Sequence, residues 1–187
     1  MVFKKNMITK IFTISLSIFF LTSCTSNPKT IKKIEFSNYE FVSLDIYEFN
    51  LVINEENLDL SDDLGFDSKF LIQELSIWGN KKFRVTGDTR SLLLTVKDFS
   101  LIQKKVKKNK GLKKIFLSSE QIEYSLSLKI SMNFFDNNKA LDSLTLNGSI
   151  TFLITDNNTI NEKKNILYKA YSELIKKVDD SINTELK

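Results

Sequence analysis

The clearest pattern in the chain is a strict alternation. Ile122, Tyr124, Leu126, Leu128, Ile130, Met132 and Phe134 are interleaved with Glu123, Ser125, Ser127, Lys129, Ser131 and Asn133. Period two over this length predicts a strand with one buried face and one wet face. Asp136-Asn137-Asn138-Lys139 predicts a hairpin turn. The pattern then resumes, with Leu144, Leu146, Ile150, Phe152 and Ile154 inside and Thr145, Asn147, Ser149 and Thr151 outside. Gly148 interrupts the inner row and marks either a bend or a close packing contact.

The remaining elements follow from similar signals. In the run from Phe41 to Ile53, Val42, Leu44 and Ile46 alternate in one phase and Tyr47, Phe49, Leu51 and Ile53 in the other. This reads as one strand with a bulge or bend near Ile46. The acidic stretch from Asn54 to Asp63 reads as a loop. Phe70, Leu71, Leu75 and Trp78 recur at helical spacing, which predicts an amphipathic helix over 67–82, N-capped by Asp67 and closed by Lys81 and Lys82. Leu92, Leu94 and Val96 open a strand from Ser91 to Val106 that extends through Phe99, Leu101 and Gln103. Near the end of the chain, Thr159 with Glu162 three residues on matches a capping box. The helix it opens carries Leu167, Ala170, Tyr171, Leu174, Ile175, Val178 and Ile182.

The expected order is therefore β-α-β-β-β-α. The last three strands pair as an antiparallel meander, and the first helix crosses over between two parallel strands. Both helices need an apolar surface and the sheet offers one. The expected fold class is α+β: a two-layer sandwich, a mixed, mostly antiparallel four-stranded sheet with two helices on one face. The other face, rich in Ser, Thr, Asn and Lys, stays open. It is either plain solvated surface or a platform for a partner protein or a polar glycan.

The N-terminus carries a different signal. A basic, acid-free start (Lys4, Lys5, Lys10) leads into the apolar stretch Ile11 to Leu21, too short to span a bilayer comfortably. Leu21-Thr22-Ser23-Cys24 follows. This resembles the lipobox of bacterial lipoproteins, where a branched apolar residue and two small residues precede a cysteine. The resemblance implies diacylglycerol transfer to the Cys24 sulfur, cleavage after Ser23 and acylation of the new amino terminus. Cys24 is the chain's one cysteine, so the exported domain has no disulfide. The expected organisation is a signal peptide (1–23), a tether (24–38) and a single α+β domain (39–187). The covalent diacylglycerol and acyl chain take the place of a cofactor, of which none is expected. Each buried CH₂ of such chains contributes about 0.8 kcal/mol, so two or more chains hold stably.

Net charge changes meaning in that light. The formal +4 of the chain falls to +1 once Lys4, Lys5 and Lys10 leave with the signal peptide. The basic balance is thus no sign of a nucleic-acid partner, and none is expected.

The residue inventory argues against most enzyme chemistry. Histidine is absent, which removes Ser-His and Cys-His nucleophile systems and most zinc sites. The glycines are scattered, in no phosphate-binding pattern. A carboxylate-pair hydrolase needs only two acids flanking a cleft. The candidates Glu55-Glu56, Asp62-Asp63 and Asp179-Asp180 read as solvated surface. Asp59-x-Ser61-x-Asp63 has the start of a calcium loop without its glycine or closing glutamate. The strongest local charge feature is Lys104, Lys105, Lys107, Lys108, Lys110, Lys113 and Lys114, placed between two predicted strands. It reads as a soluble loop, or as a contact for the phosphates of an anionic lipid surface at roughly 1 kcal/mol per lysine.

Two resemblances bear on the mature chain, the first over nearly all of it and the second in architecture alone. Phe41-Val42-Ser43-Leu44-Asp45, Leu93-Leu94-Thr95-Val96-Lys97-Asp98, Gly111-Leu112, Glu123-Tyr124 and the closing helix resemble a group of proteobacterial, in particular alphaproteobacterial, lipoproteins with no assigned activity. The element order behind a lipidated cysteine is similar to that of the lipoprotein that plugs the outer-membrane lipopolysaccharide translocon, although Cys24-Thr25-Ser26-Asn27 departs from that family's Cys-Gly-Phe type of start. These imply a non-catalytic envelope lipoprotein that binds a protein partner or assists envelope assembly. The alternatives are an auxiliary lipoprotein of an ABC-type lipid or solvent exporter and a carboxylate-dependent hydrolase. Thr25 in place of an aspartate after the lipidated cysteine favours the periplasmic face of the outer membrane, or the outer face of the cell membrane in a Gram-positive organism.

Overall fold

The structure, a computed structural model, describes residues 39–60, 64, 68–107 and 120–186. Residues 1–38, where the signal peptide, Cys24 and the tether are expected, and Asp67, Asp62-Asp63, Lys108, Lys110, Lys113 and Lys114 lie outside the described residues.

The long alternating runs become long strands. β5 spans Arg90–Lys107, β6 Gln121–Asp136 and β7 Lys139–Thr155. They form an antiparallel meander in the order β5-β6-β7. The β6–β7 turn holds Asn137 and Asn138 at φ 45° and 65°, the left-handed values that a two-residue hairpin turn matched to strand twist requires. On one face, Leu92, Leu94, Val96, Phe99 and Leu101 of β5 and Tyr124, Leu126, Leu128, Ile130 and Met132 of β6 are buried. β5 keeps its apolar side inward across a change of phase, because a bulge between Val96 and Asp98 leaves Lys97 opposite no residue of β6.

The N-terminal part differs from the single strand read in the sequence. The change of phase at Ile46 is a handover between two sheets, not a bulge within one strand. β1 (Val42–Leu44) pairs in parallel with β4 (Phe83–Val85) in a separate two-stranded ribbon. β2 (Glu48–Ile53) pairs in parallel with the first half of β5. Between them Ile46 is 1% exposed. The acidic stretch is not all loop either. A 3-10 turn over Glu55–Asn57 leads into β3 (Leu58–Leu60), which pairs in parallel with the second half of β5. The main sheet therefore has five strands of mixed direction where four were expected. β2 and β3 share one lane beside β5, and Asn57 Nδ2 donates to the Val96 carbonyl at 3.2 Å where that lane breaks.

Both helices pack on the apolar face. α1 (Ser68–Lys82) buries Leu71, Leu75 and Trp78, and Gly79 lies against Leu51 of β2. α2 (Ile160–Glu185) starts at the Thr159–Glu162 capping box and buries the stripe from Leu167 to Ile182. A Cβ on Gly148 would meet Leu174 Cδ1 at 2.8 Å and Val178 Cγ2 at 2.9 Å. The break in the inner row of β7 is thus a close helix contact.

Tyr171 ties the helices together. It is fully buried, and its hydroxyl donates to the Leu71 carbonyl at 3.1 Å. Burial, then the charge of Glu74 and the neighbouring Tyr39, holds its pKa well above the usual tyrosine value. A pKa raised in the folded state contributes stability that is fully present below the unfolded value, about 10. That stability is lost as pH climbs from there toward the folded value. Tyr171→Phe is therefore expected to cost about 1 kcal/mol at neutral pH and to flatten the loss of stability above pH ~10. Urea melts on both sides of that pH check it. An equally steep alkaline limb in the variant is the contrary result.

Candidate functional site: the open face of the sheet

The polar members of each strand's alternation fall on the face opposite the helices, where the pairing register sets them in rungs across the strands. Ser100, Ser127 and Ser149 share one rung, Thr95, Ser131 and Thr145 another, and Asp98, Lys129 and Asn147 lie between. Short side chains at most of these positions make the face flat.

The hydroxyls and amides satisfy one another along and across strands. Ser100 Oγ lies 2.7 Å from Ser127 Oγ and 3.2 Å from Asp98 Oδ2. A hydroxyl has one proton. With Ser100 donating to the carboxylate, Ser127 supplies the proton between the two serines. Further along, Ser143 Oγ donates to Asn133 Oδ1 at 2.8 Å and Asn133 Nδ2 to Ser131 Oγ at 3.3 Å. Around this network stand exposed Lys97 and Lys129 and three exposed apolar side chains, Val52, Ile102 and Leu153. Thr95, Ser100 and Ser131 on this face are buried, so what it presents outward is Lys97, Lys129, the exposed Thr145, Asn147 and Ser149 of β7 and a few apolar contacts over a flat area. These features suit recognition of a surface.

The lysine cluster divides. Lys104, Lys105 and Lys107 belong to β5 itself and not to the connection after it, which corrects the sequence reading. They extend the strand because β6 continues beside them, with Lys105 opposite Glu123 and Lys107 opposite Gln121. Lys104 Nζ stands 3.8 Å from Glu123 Oε1 with the lysine side chain 57% exposed, a pair worth at most a few tenths of a kcal/mol.

The acid pairs separate too. Glu55 and Glu56 sit in the 3-10 turn. Asp59 is exposed on β3, and the rest of the calcium-like pattern lies outside the described residues. Among the described residues no group of three or more Cys, Asp or Glu is placed to hold a metal ion. No helix among them is long and apolar enough to cross a membrane.

Asp179 is not the solvated acid that the sequence suggested. It is 3% exposed, and Lys82 Nζ meets its Oδ2 at 2.8 Å. Lys82 also donates to Asn183 Oδ1 at 2.8 Å and to the Glu40 carbonyl at 2.9 Å. Trp78 Nε1 donates to Asp179 Oδ1 at 2.9 Å and Asn183 Nδ2 to Oδ2 at 3.2 Å. All three ammonium protons and both carboxylate oxygens have partners, which is the condition for burying such a pair. The cluster locks the end of α1, the end of α2 and the segment before β1. Spacing held the clue: Lys82 continues the buried row of Leu71, Leu75 and Trp78, and Asp179 that of Ile175 and Ile182.

No protein-family model matches the chain, and no curated protein sequence matches it. Solved structures similar to it include a neuraminyllactose-binding hemagglutinin homolog from Helicobacter pylori, at 13% identity and a TM-score of 0.42, covering 80% of this chain and 90% of that one. A minor lipoprotein from Acinetobacter baumannii is similar at 16% identity and a TM-score of 0.39, covering 74% of this chain and 88% of that one. Rare lipoprotein B from Shewanella oneidensis is similar at 12% identity and a TM-score of 0.31, covering 73% and 93%.

Proposed function

We propose that this chain is a non-catalytic envelope lipoprotein, held to a membrane by lipid on Cys24, whose folded domain binds a partner or assists assembly of envelope components. The observation that carries the reading is Leu21-Thr22-Ser23-Cys24 placed directly after a basic start and a short apolar stretch, with the chain's one cysteine at the position that the lipobox pattern requires. Thr25 after that cysteine favours the periplasmic leaflet of an outer membrane. The partner-binding role draws on the flat, hydrogen-bonding face of the sheet. The absence of histidine and the commitment of Asp179 to Lys82 leave little that serves as a general acid, base or nucleophile.

Cys24→Ala is the test. The unaltered chain is expected in the membrane fraction, carrying the added mass of its acyl chains. The variant is expected to retain its leader, to gain no lipid mass and to lose the partners that crosslinking recovers with the native form. A variant that fractionates and crosslinks identically to the native chain overturns the reading.

A further inference from the structure

The two edges of the main sheet are built differently. The β2–β3 edge is short, broken by a 3-10 turn and carries acids at Glu48 and Asp59. Those are the devices by which natural sheets blunt an edge. β7, the opposite edge, has none of them over most of its length. It is 17 residues long, and from Ser143 to Thr155 it contains no charged residue and no proline. Its pairing with β6 is free of bulges over that stretch. No other strand among the described residues pairs with its outer side.

Which backbone groups point outward is fixed by neighbouring contacts. The Asp156 N–H reaches across toward β6, to the Glu120 carbonyl at 3.1 Å. The Thr155 N–H instead bonds the Asn158 side chain at 2.7 Å, and the Ser143 N–H bonds the Asp142 side chain at 2.7 Å. The Ser149 carbonyl accepts from exposed Lys177 at 3.4 Å. Odd-numbered residues from Ser143 to Thr155 therefore present their N–H and C=O to the open edge, since these directions alternate along an antiparallel strand.

We propose that β7 is a self-association edge, at which a second copy of this chain adds its own β7 antiparallel about a two-fold axis at Ser149. Three features select this occupant. An uncharged strand meets its own copy without opposing like charges. A two-fold at Ser149 sets Ser149 opposite Ser149, Asn147 opposite Thr151 and Thr145 opposite Leu153, all odd-numbered, so each outward N–H and C=O from Thr145 to Leu153 finds its counterpart. On the helix face the same register sets Leu146 opposite Phe152 and Leu144 opposite Ile154. Leu144 and Phe152, half-buried in the single chain, are then covered from the open side. Each interface patch meets itself, as a two-fold dimer requires. Lys177 yields the Ser149 carbonyl to the partner's N–H and turns to water.

The test uses the full chain with Cys24→Ala, so that an introduced thiol is the one thiol present. Opposed residues that exchange two backbone bonds have Cα atoms about 5.5 Å apart, within disulfide range. Ser149→Cys is expected to give a crosslinked dimer on oxidation. Ser143→Cys, on the same strand face but opposite Thr155 in this register, is not. Sedimentation of the chain without an introduced thiol is expected to show a concentration-dependent dimer. Thr151→Pro removes an outward N–H without touching the β6 ladder and is expected to weaken association at least tenfold while far-UV circular dichroism stays unchanged. Should that variant fail to fold, Asn147→Lys with Thr151→Lys sets like charges against each other on an exposed face and carries the same expectation. A chain that stays monomeric, including one whose edge takes up a strand from another protein instead, overturns the proposal. So does a dimer that crosslinks equally at both positions or survives the edge variants.

Discussion

Lys82→Met is expected to destabilise the domain by about 3–5 kcal/mol, because it leaves Asp179 as an uncompensated charge in the core. The side chains of the pair are 0% and 4% exposed, so water is not at hand to replace the ammonium. Asp179→Asn is expected to cost a comparable amount from the other side: Trp78 keeps an acceptor, but the buried ammonium loses its counter-charge. For a domain of this size the fall in melting temperature is on the order of 10 °C. The double substitution Lys82→Met with Asp179→Asn removes both charges and is expected to cost clearly less than the sum of the single changes, since their partners are shared. Denaturant melts of the four proteins close the cycle. Single losses below about 1 kcal/mol, the range of exposed pairs, would mean that the helix ends are not held by a buried charge pair.

That junction also shows where the local signal in the sequence ends. β6, β7 and α2 are legible because each repeats one period over many residues, and the capping box fixes where α2 begins. The open polar face follows from the same alternation. The first strand reads wrongly because β1 has three residues and β2 six. At that length, two phases of apolar residues look alike whether one strand bends or the chain passes from one sheet to another. β3 is Leu58-Asp59-Leu60, whose single alternation is too short to signal a strand, and it pairs beside Phe99, Ser100 and Leu101 of β5. β4 follows Lys82 directly, with no glycine or proline to announce it. The ion pair joins positions 97 apart in number, and the local signal at Lys82 fits a favourable cation at a helix end as well as it fits a core partner. Only the meeting of the two helix ends distinguishes them.

Deleting Ser127 from β6 is expected to abolish the native fold, while deleting Lys97 from β5 leaves it intact. The contrast comes from register. β6 lies between β5 and β7 and pairs with both, and on the β7 side the pairing runs without a break from Tyr124 to Met132. Loss of one residue there turns Leu128, Ile130 and Met132, each at most 1% exposed, to the open face and brings Lys129 and Ser131 inward. At about 1.5–3 kcal/mol for each apolar side chain, the loss approaches the whole stability of an ordinary domain, about 5–15 kcal/mol. Escape requires matching bulges in both neighbours at once. Lys97 is different because it is already surplus. Val96 faces Ile130 and Asp98 faces Lys129, so removing the exposed residue between them joins two positions that are consecutive on β6, and Phe99 and Leu101 keep facing the core. The cost is confined to the twist that the bulge imparts and to the Asn57 contact with the Val96 carbonyl, on the order of 1–2 kcal/mol. Circular dichroism and thermal melts distinguish the two deletions. A folded Ser127 deletion, or an unfolded Lys97 deletion, refutes the assignment of Lys97 as the bulge that lets one strand carry two phases of apolar residues on a single face.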